Sequence, residues 1–112
     1  MDIHTSLHLF HIILVGGLFL YIGINEKNTP NMLLNALLPL GIIILLYHLY
    51  RSYIKLTTGK SIWVNLIHIL LVAPLLIYIS YNNKTTARLY FELLLMLGFA
   101  AIGYHGYYLI KG

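Results

Sequence analysis

Cysteine is absent from this chain, and charged side chains make up only 9% of its 112 residues. The absence of cysteine excludes disulfides and thiolate metal ligands. The shortage of charge excludes an ordinary soluble domain, in which about a quarter of the residues are charged. Acidic residues are scarcest, with three Asp and Glu against seven Lys and Arg, for a net charge of +4. No basic run accompanies this charge, which therefore favours contact with anionic lipid headgroups over binding to nucleic acid.

Long apolar stretches take the place of the missing charges, and 60% of the chain is hydrophobic. Four stretches each approach the ~20 residues that cross a ~30 Å hydrocarbon core. Short polar links with turn-forming residues separate them. The sequence therefore predicts an all-α integral membrane protein, a single domain over residues 1–112, with four transmembrane helices in contact with the lipid bilayer. The predicted spans are Thr5–Ile24, Met32–Tyr53, Ser61–Tyr81 and Leu89–Ile110.

Basic residues are almost balanced between the two sides of the predicted spans. The side with both termini has Arg51, Lys55, Lys60 and Lys111, and the opposite side has Lys27, Lys84 and Arg88. Positive residues are more frequent in cytoplasmic loops, so this small excess predicts that both termini face the cytoplasm.

One ion pair is predicted near the opposite membrane surface. Arg88 lies four residues before Glu92, so the two side chains share one face of a helix. Both lie in the first turns of the fourth span, on the side away from the termini.

The chain contains an internal repeat, which is visible when residues 9–55 are aligned with residues 66–112 at an offset of 57. Eighteen of the 47 aligned pairs are identical, against roughly five expected by chance for this composition. The sequence therefore predicts a tandem repeat of two helical hairpins, residues 1–57 and 58–112, related by a pseudo-twofold axis along the membrane normal. Identical residues of the first span share one helix face, which we expect to be the inward seam of a four-helix bundle. They include His11, Leu14, Val15, Leu18, Tyr21, Ile22 and Asn25.

The repeat carries an aligned histidine in every span, pairing His11 with His68 and His48 with His105. In both hairpins these histidines lie 17 and 20 residues from the centre of the link. Those separations correspond to helical rises of about 26 and 30 Å. The four rings are therefore predicted at a similar depth, near the membrane surface that carries the termini. Ionisable groups within spans are rare and usually mark a relay or a ligand site.

The favoured hypothesis is a cofactor site at these four histidines. Neutral imidazole is a common metal ligand and an axial ligand of haem, so the site is predicted to hold Zn, Cu or a b-type haem that carries electrons. Neighbouring tyrosine hydroxyls would support the ligands through hydrogen bonds; they belong to Tyr47, Tyr50, Tyr104 and Tyr107. Arg51, one turn beyond His48, is predicted to contact a haem propionate or another anion. His8, which aligns with Asn65, is predicted to be a polar neighbour at the rim of the site.

Two other hypotheses are left open. The same histidines and tyrosines could form a proton or ion pathway, although the rest of the seam is mainly apolar. They could instead act as interface anchors and packing contacts in a structural component of a virion or host membrane. Assembly into a homo-oligomer is compatible with each hypothesis. An enzyme is disfavoured, because no Ser/His/Asp, Cys/His or paired-carboxylate pattern is present.

Four segments of the chain carry a resemblance to known proteins. "LHLFHIILVGG", "LLYHLY", "VNLIHILLVAPLLIYI" and "GYHGYYL" resemble small four-span membrane proteins encoded by large DNA viruses of aquatic protists. The resemblance covers most of the chain and implies a viral or host membrane as its location. It implies neither a function nor site residues.

Overall fold

The computed structural model describes residues 3–111, and all of its long elements are helical. Four helical segments are long and apolar enough to cross a membrane, as the sequence predicted, and we number them as the first to fourth spans: Thr5–Asn28, Asn31–Thr57, Trp63–Thr85 and Arg88–Lys111. The first span begins within α1 (Ile3–Phe10) and continues through a π-helical segment (His11–Gly16) and α2 (Gly17–Asn25). The second is α3 (Asn31–Thr57), and the third contains α4 (Trp63–Ile67), a π-helical segment (His68–Val72) and α5 (Ala73–Asn82). The fourth is α6 (Arg88–Lys111).

The first and third spans end at equivalent positions of the repeat. Glu26 and Asn83 adopt left-handed backbone φ angles of 53° and 52°, and each begins a short 3-10 turn. After the first of these turns, Pro30 lacks a backbone N–H and favours an extended conformation at Thr29, whose φ and ψ are −62° and 138°. The chain thus leaves one helix and enters the next within a few residues.

Arg88 makes the ion pair that the sequence predicted. Its Nε lies 3.2 Å from Glu92 Oε1 and 3.3 Å from Glu26 Oε2. The arginine side chain is 77% exposed, so water screens both contacts, and each contributes at most about 1 kcal/mol. The contact with Glu26 joins the end of the first span to the start of the fourth.

The chain forms two compact units, each of which combines one span from each sequence repeat. Unit 1 comprises the described parts of Met1–Thr29 and Thr86–Gly112, where the first and fourth spans pack together. Unit 2 comprises Pro30–Thr85, where the second and third spans pack together. Adding 57 to the residue numbers maps the first span onto the third and the second span onto the fourth. The helix pair of unit 1 and the helix pair of unit 2 are therefore equivalent under the sequence repeat.

Glycine brings the helices close together at the same repeat position in both units. A Cβ added at Gly98 would lie 3.1 Å from side-chain atoms of Phe19 and Leu20. A Cβ added at the equivalent Gly41 would lie 2.9 Å from Ile77 Cγ1. Small residues at such positions let apolar helices pack through dispersion contacts, which are a main source of helix association where no water is displaced.

The buried face of the first span differs from the predicted seam. Ile22 is buried, as predicted, but Leu14 and Tyr21 are 57% and 46% exposed, so the prediction was wrong for these two residues. Of the eight repeat positions that are buried in both units, four are identical and four differ, so identity between the repeats does not by itself mark burial.

At the four buried positions that differ between the repeats, the summed side-chain volume is similar in the two units. Unit 1 combines two buried phenylalanines with two buried glycines, whereas unit 2 has two leucines, an alanine and a serine at the same positions. A larger side chain is offset by a smaller one nearby, and packing tolerates volume-conserving changes best. The equivalent pairs are Phe19 and Leu76, Phe91 and Leu34, Gly16 and Ala73, and Gly23 and Ser80.

Candidate functional site

A π-helical segment begins at His11 in the first span and at His68 in the third span. Such segments are rare and occur frequently at functional sites. In each case the imidazole Nδ1 lies 2.8 Å from the carbonyl oxygen four residues earlier, that of Leu7 or Val64. A carbonyl oxygen accepts only, so both rings donate from Nδ1, and in the neutral tautomer the lone pair is on Nε2.

The four predicted histidines form two stacked pairs, one in each unit. The rings of His11 and His105 in unit 1 lie 4.3 Å apart between centroids, with an interplanar angle of 19°. The rings of His48 and His68 in unit 2 lie 4.1 Å apart, with an interplanar angle of 15°. The two pairs are equivalent under the repeat. The sequence predicted one site formed by all four histidines, and within each unit two of them lie together as a pair.

In unit 1 a third imidazole joins the pair. His8 Nδ1 lies 2.9 Å from His105 Nδ1. At this distance one ring must donate an N–H and the other must accept it through a lone pair. The ring of His8 also lies nearly parallel to that of Tyr108, at an interplanar angle of 13° and with the centroids 6.2 Å apart.

In unit 2 an asparagine and a lysine replace this third imidazole. Lys55 Nζ lies 2.7 Å from Asn65 Oδ1, and Asn65 Nδ2 lies 2.8 Å from His48 Nδ1. The ammonium group can only donate, which identifies Oδ1 as the acceptor and leaves the Asn65 amide nitrogen as the donor to His48. His48 must therefore accept at Nδ1 and carry its proton on Nε2. The buried amide of Asn65 fixes the tautomer of His48.

Sequence reasoning underestimated His8 and missed Asn65 and Lys55 as functional candidates. His8 and Asn65 occupy the same repeat position. His8 bonds to His105 on α6, and Asn65 bonds to His48 on α3. Their shared position next to His11 and His68 was a usable signal, since residues three apart lie on one helix face. Lys55 gave no comparable signal, because its partner lies on another helix.

The predicted tyrosines and Arg51 lie in different surroundings. Tyr47 and Tyr104 place their rings edge-on to the adjacent His48 and His105, at 5.2 and 5.1 Å between centroids. The remaining three residues lie farther along the helices. Tyr107 accepts a hydrogen bond of 3.1 Å from Lys111 Nζ, Tyr50 is exposed and Arg51 is half-buried on α3.

The stacked geometry limits what each pair can bind. A metal ion lies in the plane of its imidazole ligand, about 2 Å from the nitrogen. Two stacked rings lie in nearly parallel, separate planes, so one ion cannot lie in the plane of both rings, and the two rings do not face each other across a haem iron. Within residues 3–111, no group of three or more His, Asp or Glu side chains is arranged to hold a metal ion. The histidines are joined by hydrogen bonds and stacking, and a metal or haem site at all four stays a prediction.

Relatives provide no independent guide to the function of these pairs. Comparison of the chain with protein-family models, with curated proteins and with solved structures gives no match.

Proposed function

We propose that this chain is a multi-span membrane protein that takes up, holds and releases protons at one membrane face, through the hydrogen-bonded imidazoles of His8 and His105. The observation that carries the proposal is the 2.9 Å separation of their Nδ1 atoms. Two imidazole nitrogens at this distance share one proton, because two lone pairs would repel each other and two N–H groups would clash. Imidazole also changes its charge between pH 5 and 8 more readily than any other side chain.

The position of the pair supports exchange with water at the end of the spans. Both rings are half-buried, and His105 lies six residues before Lys111, or about 9 Å along the helix. Farther along unit 1 the helices are packed through Phe19, Ile22 and Leu94, which are buried and apolar. The proposed exchange therefore takes place at the face that carries the histidines.

The equivalent pair in unit 2, Asn65 and His48, differs from His8 and His105 in its ability to accept a proton. A proton added at His48 Nδ1 would point at the Asn65 amide, which already donates to that atom while its oxygen is bonded to Lys55. A proton can therefore bind at Nδ1 of His48 only after this chain of hydrogen bonds has opened. The chain thus combines an imidazole pair suited to proton exchange, His8 and His105, with an equivalent pair, Asn65 and His48, in which the imidazole is held in a single tautomer.

The test compares two equivalent substitutions in the full chain reconstituted in lipid vesicles. We expect His105→Gln to lower the number of protons taken up between pH 8 and pH 5 by about one per chain, measured by potentiometric titration. His48→Gln should leave proton uptake unchanged, because Nδ1 of His48 already accepts a hydrogen bond from Asn65. Equal losses from the two variants, or no loss from His105→Gln, would contradict the proposal.

A spectroscopic measurement tests the shared proton directly. With 15N-labelled histidine, we expect a scalar coupling across the hydrogen bond between the Nδ1 atoms of His8 and His105. The coupling should be lost in His8→Gln, which still permits hydrogen bonding to His105 but removes one of the two ring nitrogens. A wild-type spectrum without this coupling, recorded at a pH where both rings are neutral, would exclude the paired geometry.

A second candidate function is metal binding by single histidines. His11 and His68 donate from Nδ1 to backbone carbonyls, and metal-binding histidines usually direct the opposite nitrogen in this way while Nε2 binds the ion. Each ion would need further ligands, such as those of a second copy of the chain. Elemental analysis after incubation with Zn²⁺ should then show bound metal that His11→Gln and His68→Gln remove; an unchanged metal content would exclude this function.

A further inference from the structure

Unit 2 carries an open groove along the packed second and third spans. Its volume is about 690 Å³, which is within the range of ~300–1,000 Å³ that is usual for small-molecule sites. Side chains from both helices line it, and none of its lining residues belongs to the histidine pairs. The groove is thus a feature separate from the proton site.

The groove is polar at one end and apolar along the rest of its length. The polar end contains Asn35, Ser80 and Tyr81, close to the link between the third and fourth spans. Asn35 Oδ1 accepts a hydrogen bond of 2.9 Å from Asn83 Nδ2, which fixes the amide at this end. The remaining lining is mainly hydrophobic and includes Leu38, Leu45, Pro74 and Ile77. Polarity therefore decreases from the end of the spans towards their centre.

The length of the groove matches one leaflet of a bilayer. From Asn35 to Leu45 the second span rises through ten residues, or about 15 Å, which is half of a ~30 Å hydrocarbon core. Asn35 lies four residues after the start of this span at Asn31. The groove thus begins about one turn below the end of the helix, where the polar headgroups of a leaflet give way to acyl chains.

The same positions in unit 1 show how the groove arises. A Cβ added at Gly23 would lie 2.7 to 2.9 Å from Leu95 atoms, including its backbone nitrogen, so the two helices touch there. Ser80 replaces this glycine in unit 2, and its hydroxyl lies 3.4 Å from the backbone oxygen of Asn35. A serine side chain therefore lies between the helices of unit 2 at the position where those of unit 1 meet through a glycine. Small residues permit close approach of helices, and replacing them opens space.

We propose that this groove binds one acyl chain of a glycerophospholipid from the adjacent leaflet, with the glycerol ester region at Asn35 and Tyr81. The groove has the length, direction and polarity of a lipid molecule in a bilayer. The Asn35 amide and the tyrosine hydroxyl are donors suited to ester and phosphate oxygens. The exposed Lys84, next to Asn83, adds a positive charge near this end that complements the lipid phosphate.

The test uses native mass spectrometry of the full chain. The protein is incubated in detergent micelles with a mixture of phosphatidylglycerol and phosphatidylcholine, and the detergent is then removed in the spectrometer. We expect one retained phospholipid per chain, and about tenfold lower retention in Leu38→Trp, which fills the groove, as for a loss of ~1.4 kcal/mol in binding. Ile43→Trp is the matched control, because Ile43 is 62% exposed on the same helix but does not line the groove. Its lipid retention should equal that of the wild type.

A second variant keeps the proposal testable if the tryptophan disturbs folding. Ser80→Gly introduces the residue of unit 1 without adding volume, and we expect it to lower phospholipid retention while the helical circular dichroism is unchanged. Absence of retained lipid in the wild type, or equal retention in all four proteins, would overturn the proposal. Neither result would affect the proton-uptake comparison of His105 and His48, because the groove and the histidine pairs share no residue.

Discussion

Replacement of Gly23 by leucine is expected to lower the free energy of unfolding by about 3 kcal/mol, near the upper end of the usual cost of overpacking. The added Cβ alone would lie 2.7 Å from Leu95 Cβ and 2.9 Å from Leu95 N. A backbone atom cannot rotate away, so the first and fourth spans must separate along this part of unit 1. The contacts of the neighbouring Phe19 and Ile22, both buried, would weaken as a result.

Gly17→Leu is the matched control for this substitution. Gly17 lies on the same α-helix, and a Cβ added there meets no atom within 4 Å. Both variants exchange a helical glycine for leucine, so the gain in helix propensity cancels in the comparison. Reversible unfolding in mixed micelles measures the difference. If the two variants differ by less than about 0.5 kcal/mol, a typical surface effect, the close contact of these helices is absent.

Replacement of Asn65 by leucine is expected to lower the free energy of unfolding by about 2 kcal/mol, because it leaves polar groups without their partners. Lys55 Nζ loses its 2.7 Å contact and His48 Nδ1 loses its donor at 2.8 Å. The leucine side chain has a similar size, so the loss reflects the hydrogen bonds more than packing. The same variant should release His48 from its fixed tautomer, which is visible in the 15N chemical shifts of its ring.

Asn65→His separates the role of the hydrogen bonds from a general sensitivity of this position. Histidine occurs at the equivalent position in unit 1, where His8 bonds to His105 at 2.9 Å. We therefore expect Asn65→His to retain most of the stability and to bond to His48 as His8 bonds to His105. Equal destabilisation by leucine and histidine, or an unchanged His48 tautomer in Asn65→Leu, would contradict the assigned chain of hydrogen bonds.

The comparison of the two units also suggests how a duplicated helix pair acquired different properties. Each unit retains a stacked histidine pair and a histidine bonded to its own backbone. The units differ in the group beside that pair, an imidazole in unit 1 and an amide bonded to a lysine in unit 2. They differ again at Gly23 and Ser80, which determine whether the helices touch or leave a groove. Single substitutions at repeat-related positions therefore account for the main functional differences proposed between the units.

The sequence by itself determined the four apolar helices, their approximate ends, the repeat and the alignment of the four histidines within that repeat. These features depend on local composition and spacing, because the length of an apolar run and the helical period fix them before any two helices meet. The repeat also extends to local geometry: the π-helical segments at His11 and His68 begin at equivalent residues, as do the turns at Glu26 and Asn83.

Only the tertiary structure decided which helices pack together and which side chains complete each histidine pair. A repeat shows which segments are alike but does not show which ones touch, so the contact of the first span with the fourth could not be read from it. The predicted burial of Leu14 and Tyr21 was wrong for a related reason: identity between the repeats does not show which face of the first span is packed. The buried face carries Phe19, Ile22 and Gly23. The bond from Lys55 to Asn65 likewise joins two helices. Its existence depends on distances between helices, which the order of residues along the chain does not specify.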